Sequence, residues 1–498
     1  MNRLLRSVCG VLLASGLAAA AQGQTTVSER ESRRAPVKPM EQKLFGGVQL
    51  STRSEEARKL VEKSIDAYAN ANFDRAVQAA RAAVQADPQF PLAHATLAFV
   101  SRNTAPDTRE AARAKLLGAR AAPDERVLIN WMSAVEAGNI LPAISAMNDL
   151  LARYPKDKYF QYLSAEWLYG QEDFERSFKE LERILRADPD FPPALNMLGY
   201  VAIQTSNPDP ARAVSALRHY AEVLTNNPNP EDSLAEVLRY CGDDAGSLEH
   251  YAAALKIDGS FISSQIGLGD TSMMMGSFVR ARSEYDKAAA QAVNARDRFH
   301  AEYQKALVNF WEGRAARGRE ELAAIAAKRR QDHNPTALFE IEFARAVLAE
   351  NPDQELPILS GLAQWLRKSV ADMHDSERTF SLAAALREQA RVAAASGKTG
   401  VAKAAIDELG TLSASTRDLT VENAYESARG FLLFAQGSYA EAATALGAEM
   451  RDPLVVAQLI AAQEKTGDTR GAEASRKRLK YLRQPTCEWF LVAHPASN

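Results

Sequence analysis

Cysteine is nearly missing from this sequence, with three in 498 residues. Cys9 lies in a leading apolar stretch, so only Cys241 and Cys487 remain for a mature chain. In an extended stack they stand too far apart for an internal disulfide, and two lone thiols are expected. Histidine is equally sparse: the seven are scattered, no HExxH run occurs, and no cysteine pair has metal-ligand spacing. No metal or other cofactor is therefore called for. No G-x-S-x-G elbow is present. Gly397-Lys398-Thr399 imitates the end of a phosphate loop, but Val392 stands where that loop needs its first glycine, so the triplet reads as a turn between helices. Aromatic residues make up only 7% of the chain, and the formal net charge is -3 without any basic or acidic block. That distribution lacks the electrostatic footprint of a nucleic-acid binder.

Long hydrophobic runs are missing too, except at the start. Arg3 and Arg6 precede an apolar run from Ser7 to Ala21, and Ala19 and Ala21 fit the small-residue cleavage rule. A spanning helix needs about 20 strongly apolar residues, more than this Gly-, Ser- and Ala-rich stretch offers. Residues 1–21 therefore read as a cleaved export signal. A periplasmic or secreted setting is expected, with no integral membrane segment afterwards. Residues 22–55 read as a flexible linker, carrying Glu29 to Arg34, Pro36, Pro39 and Gly46-Gly47.

What the sequence does have is alanine, and a period. Units begin at Ala57, Pro91, Asp124, Lys158, Pro192, Pro228 and Ile262, in steps of 34, 33, 34, 34, 36 and 34 residues. Within the unit at Ile262, Leu268, Gly269, Phe278, Ala281, Tyr285 and Ala288 alternate large and small at helical spacing. The unit at Lys158 repeats the scheme with Ala165, Leu168, Phe174 and Pro189. The unit at Ala57 does so with Ser64, Phe73, Ala76, Ala83 and Pro88. Small residues let two antiparallel helices approach, and large ones fill the remaining holes. Asp87-Pro88, Tyr154-Pro155, Asp188-Pro189 and Asn227-Pro228 end the second helix of a unit, since proline cannot continue it. Gly138, Asn72 and Gly276 mark the turn inside a unit.

This order of spacing resembles the tetratricopeptide repeat, and the lead Ser51 to Ala57 is similar to that of exported bacterial proteins of this type. The resemblance implies an all-α fold: a right-handed superhelical solenoid of antiparallel helix pairs. Residues 56–331 read as the regular array and 332–422 as degenerate helical repeats interrupted by Pro335, Pro352 and Pro357. Residues 423–482 read as C-terminal units with a capping helix, and 483–498 as a tail. Arg476, Lys477, Arg478, Lys480 and Arg483 are expected on the polar face of that cap.

The resemblance also implies that the first helix of each unit lines a concave groove. Its groove positions here are Tyr159, Tyr162, Glu166 and Tyr169, then Asn196, Tyr200, Ile203 and Gln204, then Ile266, Asp270, Met273 and Met274. Tyrosine offers large rigid area with one hydrogen bond, so Tyr159, Tyr162, Tyr169 and Tyr200 are the expected anchors for a protein or peptide, with packing between neighbouring helices as the rival role. The carboxylate clamp of chaperone-binding relatives is absent, because Val61, Ile65, Tyr162 and Glu166 hold its positions. The expected function is a non-catalytic scaffold or adaptor. An enzyme with its site in the irregular 334–419 region, or an envelope-assembly component, is the alternative.

Overall fold

The computed structural model describes residues 47–101, 108–332, 334–368, 370–371 and 373–495. The signal expected over residues 1–21 lies outside them. The described residues form 25 α-helices and no β-strand. Numbered in chain order, the first six pairs are α1 (Glu55–Ala69) with α2 (Phe73–Ala86), α3 (Pro91–Ser101) with α4 (Thr108–Gly118), α5 (Pro123–Glu136) with α6 (Ile140–Arg153), α7 (Lys158–Gly170) with α8 (Phe174–Ala187), α9 (Pro192–Ala202) with α10 (Pro210–Val223), and α11 (Asn229–Cys241) with α12 (Asp244–Ile257). Then come α13 (Ile262–Met274) with α14 (Phe278–Gln291), α15 (Ala295–Trp311) with α16 (Ala315–Arg329), and α17 (Pro335–Val347) with α18 (Pro352–Leu366). The last pairs are α19 (Asp375–Ala395) with α20 (Thr399–Thr416), α21 (Leu419–Ala435) with α22 (Tyr439–Leu446), and α23 (Pro453–Thr466) with α24 (Thr469–Leu479), followed by α25 (Cys487–Ala493). The first seven pairs start within two residues of the expected unit starts.

Local chemistry explains the boundaries. Asp157 accepts from the Tyr159 and Phe160 amides at 2.9 and 3.0 Å, and Ser54 from Ala57 at 3.1 Å, satisfying orphan N–H groups at helix starts. The turn inside a unit needs one left-handed residue. Gly138 and Gly276 supply it at φ 69° and 76°, whereas Ala71 takes it at φ 58° and leaves Asn72 to cap α2. Pro335 and Pro352 stand at the first helical position, where no amide is missed. Pro357 does not interrupt the chain as expected. It lies inside α18 on the solvent side, where water can serve the carbonyl it leaves without a donor.

Packing follows the large–small scheme. A Cβ on Gly269 would stand 2.5 Å from the Tyr285 ring, and one on Gly199 would stand 2.4 Å from Leu217. The first helices form the inner layer: α3 is buried at every residue, and α13 from Ile262 to Met273. The second helices are amphipathic and form the outer layer.

The solenoid does not stay open. Its C-terminal helices fold back onto its N-terminal half. Arg478 donates to the Ile203 carbonyl at 2.5 Å and the Met450 carbonyl at 2.8 Å. Arg483 forks onto Asp244 with two 2.7 Å bonds and reaches the Arg239 carbonyl. Asn423 donates to Glu172 at 2.9 Å. The expected solvated cap is corrected in this respect: Arg478 is 1% exposed, because unit-edge carbonyls across the ring need donors. Two further expectations are corrected. Residues 47–54, read as flexible linker, are pinned by the Ser51 amide to Glu125 at 2.7 Å and by Thr52 to Asp87 at 2.6 Å, with Val48 buried. The tail contains α25, whose Phe490 packs on Phe310 and Trp311, both 5.9 Å between ring centroids.

Gly269→Leu is expected to destabilise by at least about 1–3 kcal/mol, since the added bulk drives α13 off Tyr285. Thermal unfolding followed by circular dichroism measures it, and an unchanged melting temperature would mean that the two helices do not meet there.

Candidate binding cavity

Closure changes what the inner layer can do. Of the twelve expected groove positions, the eight best suited to a partner are all buried: Tyr159, Tyr162, Glu166, Tyr169, Asn196, Tyr200, Asp270 and Met273 are each 5% exposed or less, whereas Gln204 and Met274 are half-buried. Tyr159 and Tyr162 reach back to α1, donating to Asp66 at 2.9 Å and to the Ala69 carbonyl at 3.2 Å. Tyr68 of α1 returns a 2.8 Å bond to Glu166. Tyr169 accepts from Gln204 at 3.3 Å, and Arg451 from the far end of the chain lies over its ring at 5.5 Å. The expected exposed tyrosine row is therefore covered. Tyr159 and Tyr162 span the narrow groove to α1, whereas Tyr169 and Tyr200 bond to Gln204 and Glu236 of the neighbouring units. Of the eight, only Glu166 borders open space.

Tyr200 and Asp270 belong to a buried polar cluster that residue spacing did not reveal. Glu236 accepts from Tyr200 at 3.0 Å and from Tyr240 at 2.5 Å. Asp232 accepts from Ser264 at 2.6 Å, and Asp270 accepts from Tyr285 at 2.7 Å. Arg239 stands 3.6 Å from Glu236 and 3.5 Å from Asp270. One guanidinium cannot neutralise three carboxylates. Burial pushes Asp232 up to about 8 and Asp270 up to about 6, and raises Glu236 as well. The cluster sits where the apolar core is interrupted, between a block ending at Tyr240 and another starting at Ile262.

The open space is a cavity of about 400 Å³ near the middle of the ring. Its wall draws on nearly the whole chain: Asp74 from α2, Glu166 and Trp167 from α7, Phe339 and Glu340 from α17, Arg387 from α19, Thr420 from α21 and Glu488 from α25. Among the described residues nine carboxylates and three arginines line it, with apolar ground supplied by Trp167, Phe299, Phe339, Phe343 and Phe380. Arg387 is paired with Asp452, and Arg451 is covered by the Tyr169 and Phe174 rings. Burial raises Glu377 and Asp418 above the ordinary carboxylate range.

Part of the wall comes from the irregular 334–419 region, the place expected to hold any catalytic site. His374 Nδ1 lies 2.7 Å from Ser376 Oγ, and Nε2 lies 3.2 Å from Glu136. The residue types match a nucleophile–base–orienter relay. Yet Nδ1 also accepts the Ser376 amide at 3.3 Å, which is the N-cap bond of α19. The imidazole is thus explained as a helix cap tied to the α5 C-terminus. Among the described residues no cluster of metal-ligating side chains occurs, and no helix is long and apolar enough to cross a membrane.

Units of about 34 residues, inner and outer helices, and glycine-mediated contacts define a tetratricopeptide-like helical-pair solenoid. No family model matches the chain, and no curated protein does. Solved structures that it resembles include a tetratricopeptide repeat protein from Parabacteroides merdae, at 16% identity over 55% of this chain and 93% of that one, TM-score 0.35. Yeast Tom70 matches at 14% identity over 84% and 95%, TM-score 0.41. Pseudomonas aeruginosa pilF matches at 17% identity over 50% and 98%, TM-score 0.28.

The buried cluster predicts a pH dependence. Asp232 and Asp270 have folded-state values above the ordinary aspartate value of about 3.9, so their protonated forms favour the fold. Their contribution is fully present below about pH 4 and is lost as pH rises through 6 to 8. The melting temperature should fall over that window, and Asp232→Asn should flatten the fall. A profile for the variant identical to wild type would contradict this.

Proposed function

We propose that the chain is a non-catalytic binding scaffold that holds a segment of another protein in the central cavity rather than along an open concave groove. The observation that carries this reading is the cavity itself. Its wall is assembled from side chains of the first helix pair, the middle pairs and the last helix, so its shape depends on the closed ring. A scaffold of this kind presents one preformed concave site with aromatic ground and convergent polar groups, as binding pockets do. Closure supplies rigidity, which lowers the ordering cost on binding.

The setting belongs to the same proposal: residues 1–21 direct export, and the scaffold works in the periplasm or outside the cell. N-terminal sequencing of the mature chain should find a start near residue 22, and an intact Met1 would contradict export with cleavage.

Site-specific photo-crosslinkers at Phe380 and Trp167, on the cavity wall, should yield partner adducts in the native host. The same group at Val279, exposed on α14, should not. Adducts from Val279 alone would overturn the cavity reading. An active-site fluorophosphonate should leave Ser376 unlabelled, because its neighbour His374 is committed to capping α19 through the Ser376 amide; labelling would instead establish the hydrolase alternative.

A further inference from the structure

The composition of the cavity wall selects a class of ligand, an inference that rests on the reading of the cavity as the binding site. The first observation is charge. Among the described residues, nine carboxylates face three arginines and no lysine lines the space. Two of those arginines are already engaged: Arg387 with Asp452, and Arg451 between two aromatic rings and near Glu172. Glu136 has His374. Among the described residues, Glu340, Glu377 and Glu488 have no salt-bridged cation. Arg296, the third arginine of the wall, lies near Glu340 and Glu377 and offsets part of their charge; the carboxylates still outnumber the cations, and low-dielectric walls focus their field on whatever enters.

The second observation is independent of the acidic groups and has the opposite sign. Arg387 is 2% exposed and lines the cavity, yet its Nε and Nη1 groups have no hydrogen-bond acceptor. Such buried donors are rare and call for an acceptor. A simple cation could not supply one. A polypeptide can, because it carries backbone carbonyls beside its side chains. The third observation is apolar. Phe339, Phe343 and Phe380 provide rings against which the methylene stems and guanidinium faces of long basic side chains can lie.

We propose that the cavity's ligand is an extended polypeptide segment bearing arginine or lysine, whose cationic side chains meet Glu340, Glu377 and Glu488 and whose backbone carbonyls meet Arg387. The segment belongs to a partner protein. Its binding weakens with salt, because part of the attraction is between full charges.

The test uses the full mature chain and three probes: a fluorescein-labelled 12-residue peptide alternating arginine and glycine, its glutamate counterpart, and spermine. Fluorescence anisotropy measures the peptides and calorimetry measures spermine. The arginine peptide should bind and the glutamate peptide should not. Replacing Glu340, Glu377 and Glu488 together by glutamine should weaken the arginine peptide at least ten-fold. The matched outer-layer triple, Glu249→Gln, Glu320→Gln and Glu441→Gln, should leave it unchanged. Arg387→Lys should weaken the peptide but not spermine, which has no carbonyls, and melting curves confirm that each variant is folded. Equal binding by the two glutamine triples would overturn the proposal, as would preference for the glutamate peptide. Spermine binding as tight as the peptide, indifferent to Arg387, would overturn its polypeptide part. If the arginine peptide fails while crosslinks still form from Phe380, the basic-segment inference fails and the cavity reading survives.

Discussion

The structure depends on closure of the helical-pair solenoid by arginines near its C-terminal end. Arg478 and Arg483 satisfy carbonyls and a carboxylate on units more than two hundred residues upstream. Arg451 meanwhile fills the space over Tyr169 and Phe174. A guanidinium suits this work because it is planar, weakly hydrated and forked. Once these contacts form, the inner helices are sandwiched between the outer layer and the opposite wall. Tyr169 loses its access to solvent beneath Arg451, while Tyr159 and Tyr162 are covered by α1, and the unfilled volume becomes a cavity.

Why the pairs form was legible in the residues. Prolines at Pro91, Pro192 and Pro228 mark unit borders, and glycines such as Gly269 mark the contacts where helices touch. These signals are local, because one unit's geometry is set by residues within about 34 positions. The pairs from α17 to α20 were harder to place. Their helices run to 21 residues in α19, and Pro357 is tolerated on a solvent face, so the period that guided the earlier units is lost.

Closure was not legible, for a physical reason. Whether a solenoid opens or closes depends on small rotations summed over many units, and the contacts that fix the outcome join residues such as Ile203 and Arg478 that share no periodic relation. The basic run in the last helices was visible, but a basic helix end has an adequate local explanation in the helix dipole. Position within the repeat put Tyr162 and Glu166 on the first helix of their unit. It could not say that α1 stands opposite them. The polar cluster around Arg239 was hidden likewise, since Asp232, Glu236 and Asp270 look like ordinary surface carboxylates until α11 and α13 are packed together.

The cavity combines what a ligand site needs: a fixed shape, aromatic ground and polar groups that the protein itself leaves short of partners. All of that follows from the ring being shut, so the most direct measurement is the solution size of the mature chain by small-angle X-ray scattering. A closed ring of this length should give a radius of gyration near the compact-domain scaling, about 23 Å. The double variant Arg478→Ala, Arg483→Ala should swell measurably while keeping its helicity. A wild-type radius half as large again, unchanged in that variant, would contradict the closed ring and with it the cavity.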